Sequence, residues 1–110
     1  MEISFANRKL EKLCNSQKNM KADLGAENAK KLQQRLEEMA AVECLEDLRF
    51  LPGRCHELSG IRKRQLAVDL KHPRRLIFVP DHDPLPVRDD GGLDWSLVKR
   101  IQVVEIVDYH

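Results

Sequence analysis

A chain of 110 residues is long enough for one hydrophobic core and too short to divide into two domains, so residues 1–110 read as a single unit. At 42% hydrophobic and 34% charged it is too apolar to be disordered, and no apolar run approaches the roughly 20 residues of a bilayer-spanning helix. The formal charge of +1 excludes a uniformly basic or acidic protein but conceals a local imbalance: residues 54–75 carry 7 basic against 2 acidic side chains, and residues 76–110 carry 3 against 7.

From the N-terminus, Met1 to Ala6 alternates, with Ile3, Met1 and Phe5 opposite Glu2 and Ser4, which predicts a short strand. The segment has no apolar stretch or small-residue cleavage site of the secretory kind, so the expected location is cytoplasmic. Asn7 is placed to cap a helix from Arg8 to about Asn15, carrying Leu10, Leu13 and Cys14, and the polar run NSQKN is expected to end it. A longer helix is predicted from about Gly25 to Val42. Ala29, Leu32, Leu36, Met39 and Ala40 form its apolar stripe, and Glu27 with Lys31 makes an i,i+4 pair. Cys44 to Phe50 continues as a short helical piece that Pro52-Gly53 stops.

Beyond Gly53 the period becomes that of strands. CHEL, QLAVDL and RLIFV are expected as antiparallel neighbours, the last two joined through Lys71-His72-Pro73-Arg74. A long connection at about 80–100 follows, broken by three prolines and by Asp89-Asp90-Gly91-Gly92, with Asp94 capping one helical turn and Trp95 as a packing anchor. The final segment, IQVVEIVDYH, alternates Ile101, Val103 and Val107 with Val104 and Ile106. Both faces are then largely apolar, as in a central strand. The fold class expected is α+β, two N-terminal helices packed on a small, mainly antiparallel β-sheet. Cys14, Cys44 and Cys55 are an odd number without zinc-knuckle spacing and read as reduced, mostly buried thiols.

Arg54, Arg62, Lys63, Arg64, Lys71, Arg74 and Arg75 form the basic segment, either a solvated strand face or a patch that attracts a polyanion. Asp81-His82-Asp83 lacks a second His or Cys at ligand spacing and reads as a solvated turn, so no metal and no cofactor are expected. His56 and His72 read as surface or strand-end residues close to the basic segment.

Three stretches carry a family resemblance. PGRCHELSGIRKRQLAV is similar to a Pro-Gly, a Leu-x-Gly and an Arg-Lys entering a strand; Arg75-Leu76-Ile77-Phe78 is similar to an Arg-Ile-x-Phe strand; and EIVDYH resembles a C-terminal Asp-Tyr-His. Together with the element order, these resemble the HigB/RelE superfamily of bacterial toxins, in particular its HigB, or plasmid maintenance killer, branch. Two positions depart from the pattern: Arg74 stands where an aromatic residue commonly precedes the strand arginine, and Arg64-Gln65 follows the Arg-Lys where a glycine and an aromatic are usual.

The resemblance implies a RelE-like fold and a metal-independent, ribosome-dependent mRNA endoribonuclease working through a 2′,3′-cyclic phosphate. It implies a helix-turn-helix, HigA-like antitoxin as partner, with the ribosome and mRNA as targets and no membrane. Such chemistry needs a base for the ribose 2′-hydroxyl, cations for the phosphorane and an acid for the leaving oxygen. The resemblance assigns these roles to Arg62, Lys63, Arg75, Tyr109 and His110, with Arg54, Arg64, Lys71, Arg74 and Asp108 binding RNA. By composition alone a terminal Tyr-His is a frayed end, and Asp108 orients the histidine, binds an arginine or only terminates the strand. Two other readings stay open: a ParE-like, gyrase-binding toxin without nuclease activity, and a degenerate toxin retained as the antitoxin's partner and co-repressor.

Overall fold

A computed structural model of the chain describes residues 1–108. Their order is β1 (Glu2–Phe5), α1 (Arg8–Cys14), α2 (Gln17–Ala41), a 3₁₀ turn (Leu45–Phe50), β2 (His56–Glu57), a 3₁₀ turn (Gly60–Arg62), β3 (Leu66–Asp69), β4 (Arg74–Pro80), a 3₁₀ turn (Trp95–Leu97) and β5 (Arg100–Asp108). The architecture is mixed α+β. Five strands form one sheet in the order β1-β5-β4-β3-β2, antiparallel except for the parallel pair β1 and β5.

Capping chemistry sets the helix starts. The Asn7 side chain accepts from Leu10 N (2.9 Å) and opens α1. Ser16 then accepts from Asn19 N (3.2 Å) and opens α2 eight residues ahead of the expected Gly25, so the NSQKN run ends one helix and starts the next. Met20 and Leu24, four apart, supply the apolar side of the extra turns. Gly25, with φ +83 and ψ +165, is non-helical and divides α2 into two helical pieces, so the helix expected from about Gly25 is the second piece and the turns before it are the addition. Ala40 is exposed rather than part of the stripe, Arg35 is buried in its place, and Glu27 pairs with Lys71 (2.9 Å) instead of Lys31.

One core joins the helices to one sheet face. Ala29, Leu32 and Met39 of α2 pack in a cluster with Leu66, Val68, Leu76 and Phe78, residues that alternate along β3 and β4. Ala67 and Ile77, equally buried, lie outside that cluster because the same alternation turns them to the opposite face. On β5 the alternation is interrupted. Ile77 pairs with Glu105 but Phe78 pairs with Val103, leaving Val104 as a bulge. Past it the pleat is reversed, so Ile106 joins Ile101 and Val103 on the core side, and Val107, opposite Arg75, turns to the other face. This corrects the expected grouping of Val107 with Ile101 and Val103. β5 lies between β1 and β4.

The connection from Asp81 to Lys99 is tied at its base by His82, whose Nε2 accepts from Lys99 N (3.0 Å) and Arg100 N (3.3 Å). Asp94 caps its 3₁₀ turn through Ser96 N (3.1 Å). Trp95 is buried, donates to Glu57 Oε2 (2.9 Å) and carries the Arg49 guanidinium over its ring at 3.7 Å. No helix among the described residues is long and apolar enough to cross a membrane.

Candidate nucleic-acid interface

The sheet face turned away from the helices gathers polar side chains by register alone. One cross-strand row runs His56, Ala67, Ile77, Glu105, and the next runs Asp69, Arg75, Val107. Ala67 and Ile77 form a buried apolar floor, with the charged residues at its margins.

Arg62, on the 3₁₀ turn before β3, donates through Nη1 to Gln65 Oε1 (2.9 Å) and to Glu105 Oε1. That second contact joins the β2–β3 turn to β5 across the face. Asp69 organises the other margin: Oδ2 accepts from Arg54 Nε at 2.6 Å, and Oδ1 stands 3.4 Å from Arg75 Nε. Oδ1 is buried and accepts no hydrogen bond among the described residues. From the core side the buried Arg35 donates to the Asp69 carbonyl (2.8 Å), fixing the backbone from which the carboxylate projects. The hydrogen bond that Arg54 donates to Asp69 holds its guanidinium above its ordinary pKa.

His56, expected as a surface or strand-end residue close enough to the basic segment to assist RNA binding, lies on β2 in the row with Glu105. Its Nδ1 lies 2.6 Å from the Arg54 carbonyl oxygen, a contact in which the ring nitrogen donates. In the neutral ring Nε2 is then the acceptor, the form needed to take a proton. The signal available in the sequence was the strand period of CHEL, which places His56 on one face and Glu57 on the other. The acidic partners Asp69 and Glu105 were missed, since a sequence reveals charge but not which distant cation it meets.

The basic segment divides into three groups. Arg54, Arg62 and Arg75 stand at the margins of the open face, the first and last paired with Asp69 and Arg62 with Glu105. Lys63 and Arg64, beyond Arg62 on the same turn, line a cleft shared with the β4–β5 connection. Arg74 and Lys71 are on neither. Arg74 alternates with Arg75 and therefore lies on the helix side, paired with Asp108 (3.1 Å) beside a groove of about 420 Å³ lined by Leu10, Leu13, Leu24 and Ile106, and Lys71 pairs with Glu27. Tyr109 and His110 lie outside the described residues.

Chemically, three guanidinium groups on the open face stand against two carboxylates, next to a histidine with an acceptor nitrogen. This arrangement can hold a phosphodiester through bidentate arginine contacts, provided that the phosphate displaces or shares a carboxylate partner. Among the described residues no group of three His, Cys, Asp or Glu side chains is placed to hold a metal ion. No family model matches the chain, and no curated protein matches it.

Proposed function

We propose that the chain is a RelE-like toxin of the HigB branch, a metal-independent endoribonuclease that cleaves mRNA on the ribosome and is held inactive by a helix-turn-helix antitoxin. The observation that carries this reading is the open sheet face, where Arg54 and Arg75 pair with Asp69, Arg62 pairs with Glu105, and His56 shares a cross-strand row with Glu105; in the sequence Tyr109 and His110 follow Asp108. The resemblance of EIVDYH and of the Arg75 strand to that family supplies the reaction class.

In the proposed mechanism a base removes the proton from the ribose 2′-hydroxyl, and the resulting oxygen attacks the adjacent phosphorus in line. The phosphorane carries extra negative charge, which Arg62 and Arg75 stabilise. Protonation of the 5′ oxygen then releases the downstream RNA and leaves a 2′,3′-cyclic phosphate. His110 and His56 supply proton transfer, and Tyr109 positions the RNA by stacking.

Inducing the chain in bacteria without an antitoxin should arrest growth, followed by culture density, and produce new 5′ ends in translated messages, visible by primer extension. Arg75→Ala should relieve the arrest, and equal growth of the two strains would remove the main support for the reading. The carboxylates favour one second reading. Because Asp69 and Glu105 already occupy cations of the face, the chain also suits a degenerate toxin kept as the antitoxin's partner. The same assay separates the two, since a degenerate toxin arrests nothing.

A further inference from the structure

The cleft between the β2–β3 turn and the β4–β5 connection has chemistry that the proposed reaction leaves unused. It measures about 350 Å³ and has apolar walls from Leu58, Pro80, Leu85 and Leu93, with the exposed Lys63 and Arg64 in its lining. Neither cation has an ion pair among the described residues, whereas Arg54, Arg62 and Arg75 each stand against a carboxylate. Glu57, fixed by its hydrogen bond from Trp95 Nε1, adds an acceptor to the lining.

Arg64 has φ +74, the left-handed region in which a side chain carries a steric cost and glycine does not. The arginine there places a positive charge at the cleft at a steric cost to the turn. Arg62, two residues earlier, reaches Glu105 across the open face, so one turn presents cations to both surfaces. An apolar cleft with two cations and a hydrogen-bond acceptor in its lining matches a nucleotide: the base meets the apolar walls, the acceptor meets an N–H of the base edge, and the cations meet the flanking phosphates.

We propose that this cleft binds one nucleotide of a single-stranded RNA adjoining the segment on the open face, and so contributes base preference. The inference rests on the RNA-cleaving reading and adds a subsite to it.

The test uses short, labelled oligoadenylate, oligouridylate and oligocytidylate RNAs, with binding to the full chain followed by fluorescence anisotropy over a range of salt. Arg64→Gly removes the cation and supplies the residue that the backbone favours, so its denaturation midpoint should equal or exceed that of the wild type. Its RNA affinity should nevertheless fall roughly 3- to 10-fold, and the logarithmic salt slope should shrink by about 0.7, the value for one lost phosphate contact on a single strand. Lys12→Ala, removing an exposed cation of α1, should leave the slope unchanged. Wild-type affinity and slope in Arg64→Gly would overturn the cleft, as would a wild type that binds none of the RNAs. Growth arrest is scored in parallel, so an arresting wild type with an unaffected Arg64→Gly discards the cleft and keeps the nuclease. Conversely, weakened binding by Arg64→Gly beside a wild type that arrests nothing keeps the cleft and discards the nuclease.

Discussion

At Asp69 a single carboxylate meets two guanidinium groups while its own carbonyl accepts from the buried Arg35, so the residue couples the polar face to the core. Replacing the anion with a near-isosteric amide should remove one negative charge from beside Arg54 and Arg75 and so favour phosphate at that margin. Asp69→Asn is therefore expected to bind single-stranded RNA at least about 3-fold more tightly with a steeper salt dependence, which anisotropy would measure. The thiols give a second expectation. Burial pushes Cys14 up to about 11 and Cys55 up to about 12 from an ordinary 9.0. The folded state then keeps protons that the unfolded chain loses above pH 9. This contribution is fully present below pH 9 and disappears as pH rises toward 11 and 12, at roughly 1.4 kcal/mol per pH unit for each thiol. Urea midpoints should be flat from pH 7 to about 8.5 and then fall, and Cys14→Ala should flatten the fall.

Among the elements, α2 is informative because its interior break coincides with a residue that permits it. Gly25 has open space where a Cβ would go, so Gly25→Ala meets no neighbour and its cost comes from the backbone alone. We expect about 1 kcal/mol of destabilisation, measured as a lower urea midpoint at unchanged slope. Much of the element order was legible where the chain repeats a period: β1, α1 and the strands through β4 follow their apolar patterns. The first turns of α2 were not, because Asn15, Gln17, Lys18 and Asn19 are polar and exposed and only Ser16 as cap, with Met20 and Leu24, marks them. The β5 bulge was hidden for a different reason. Val104 is as apolar as its neighbours, and only the register against Ile77 and Phe78 makes it the extra residue. At the site, alternation already separates Arg74 from Arg75, yet the acids that meet Arg62 and Arg75 come from non-local pairing that no local pattern encodes.

For the molecule as a whole, the proposed chemistry depends on residues just past the described sheet. Deleting Tyr109 and His110 should abolish mRNA cleavage while the midpoint of unfolding stays put, since β5 retains Ile101, Val103 and Ile106 in or against the core. His110→Gln alone should slow cleavage by on the order of 10²-fold, the scale of a lost general acid or base. Equal activity without the two residues would move proton transfer to His56. The reaction also draws on side chains alone, so elemental analysis of active protein should find no stoichiometric transition metal.

The parallel pairing of β1 with β5 sets an order in time. Ser4 Oγ reaches the Ile101 carbonyl, 97 residues away, and Ile3 and Phe5 face Ile101 and Val103 in register. During synthesis β1 leaves the ribosome early and has no strand beside it until residues 100–108 follow; β4 waits for the same segment. Such distant contacts slow closure of the sheet, and Glu105, the anchor of Arg62, arrives with the late strand. A nascent chain therefore lacks the Arg62–Glu105 contact, and with it one margin of the open face, until residues 100–108 have been made and have paired with β4.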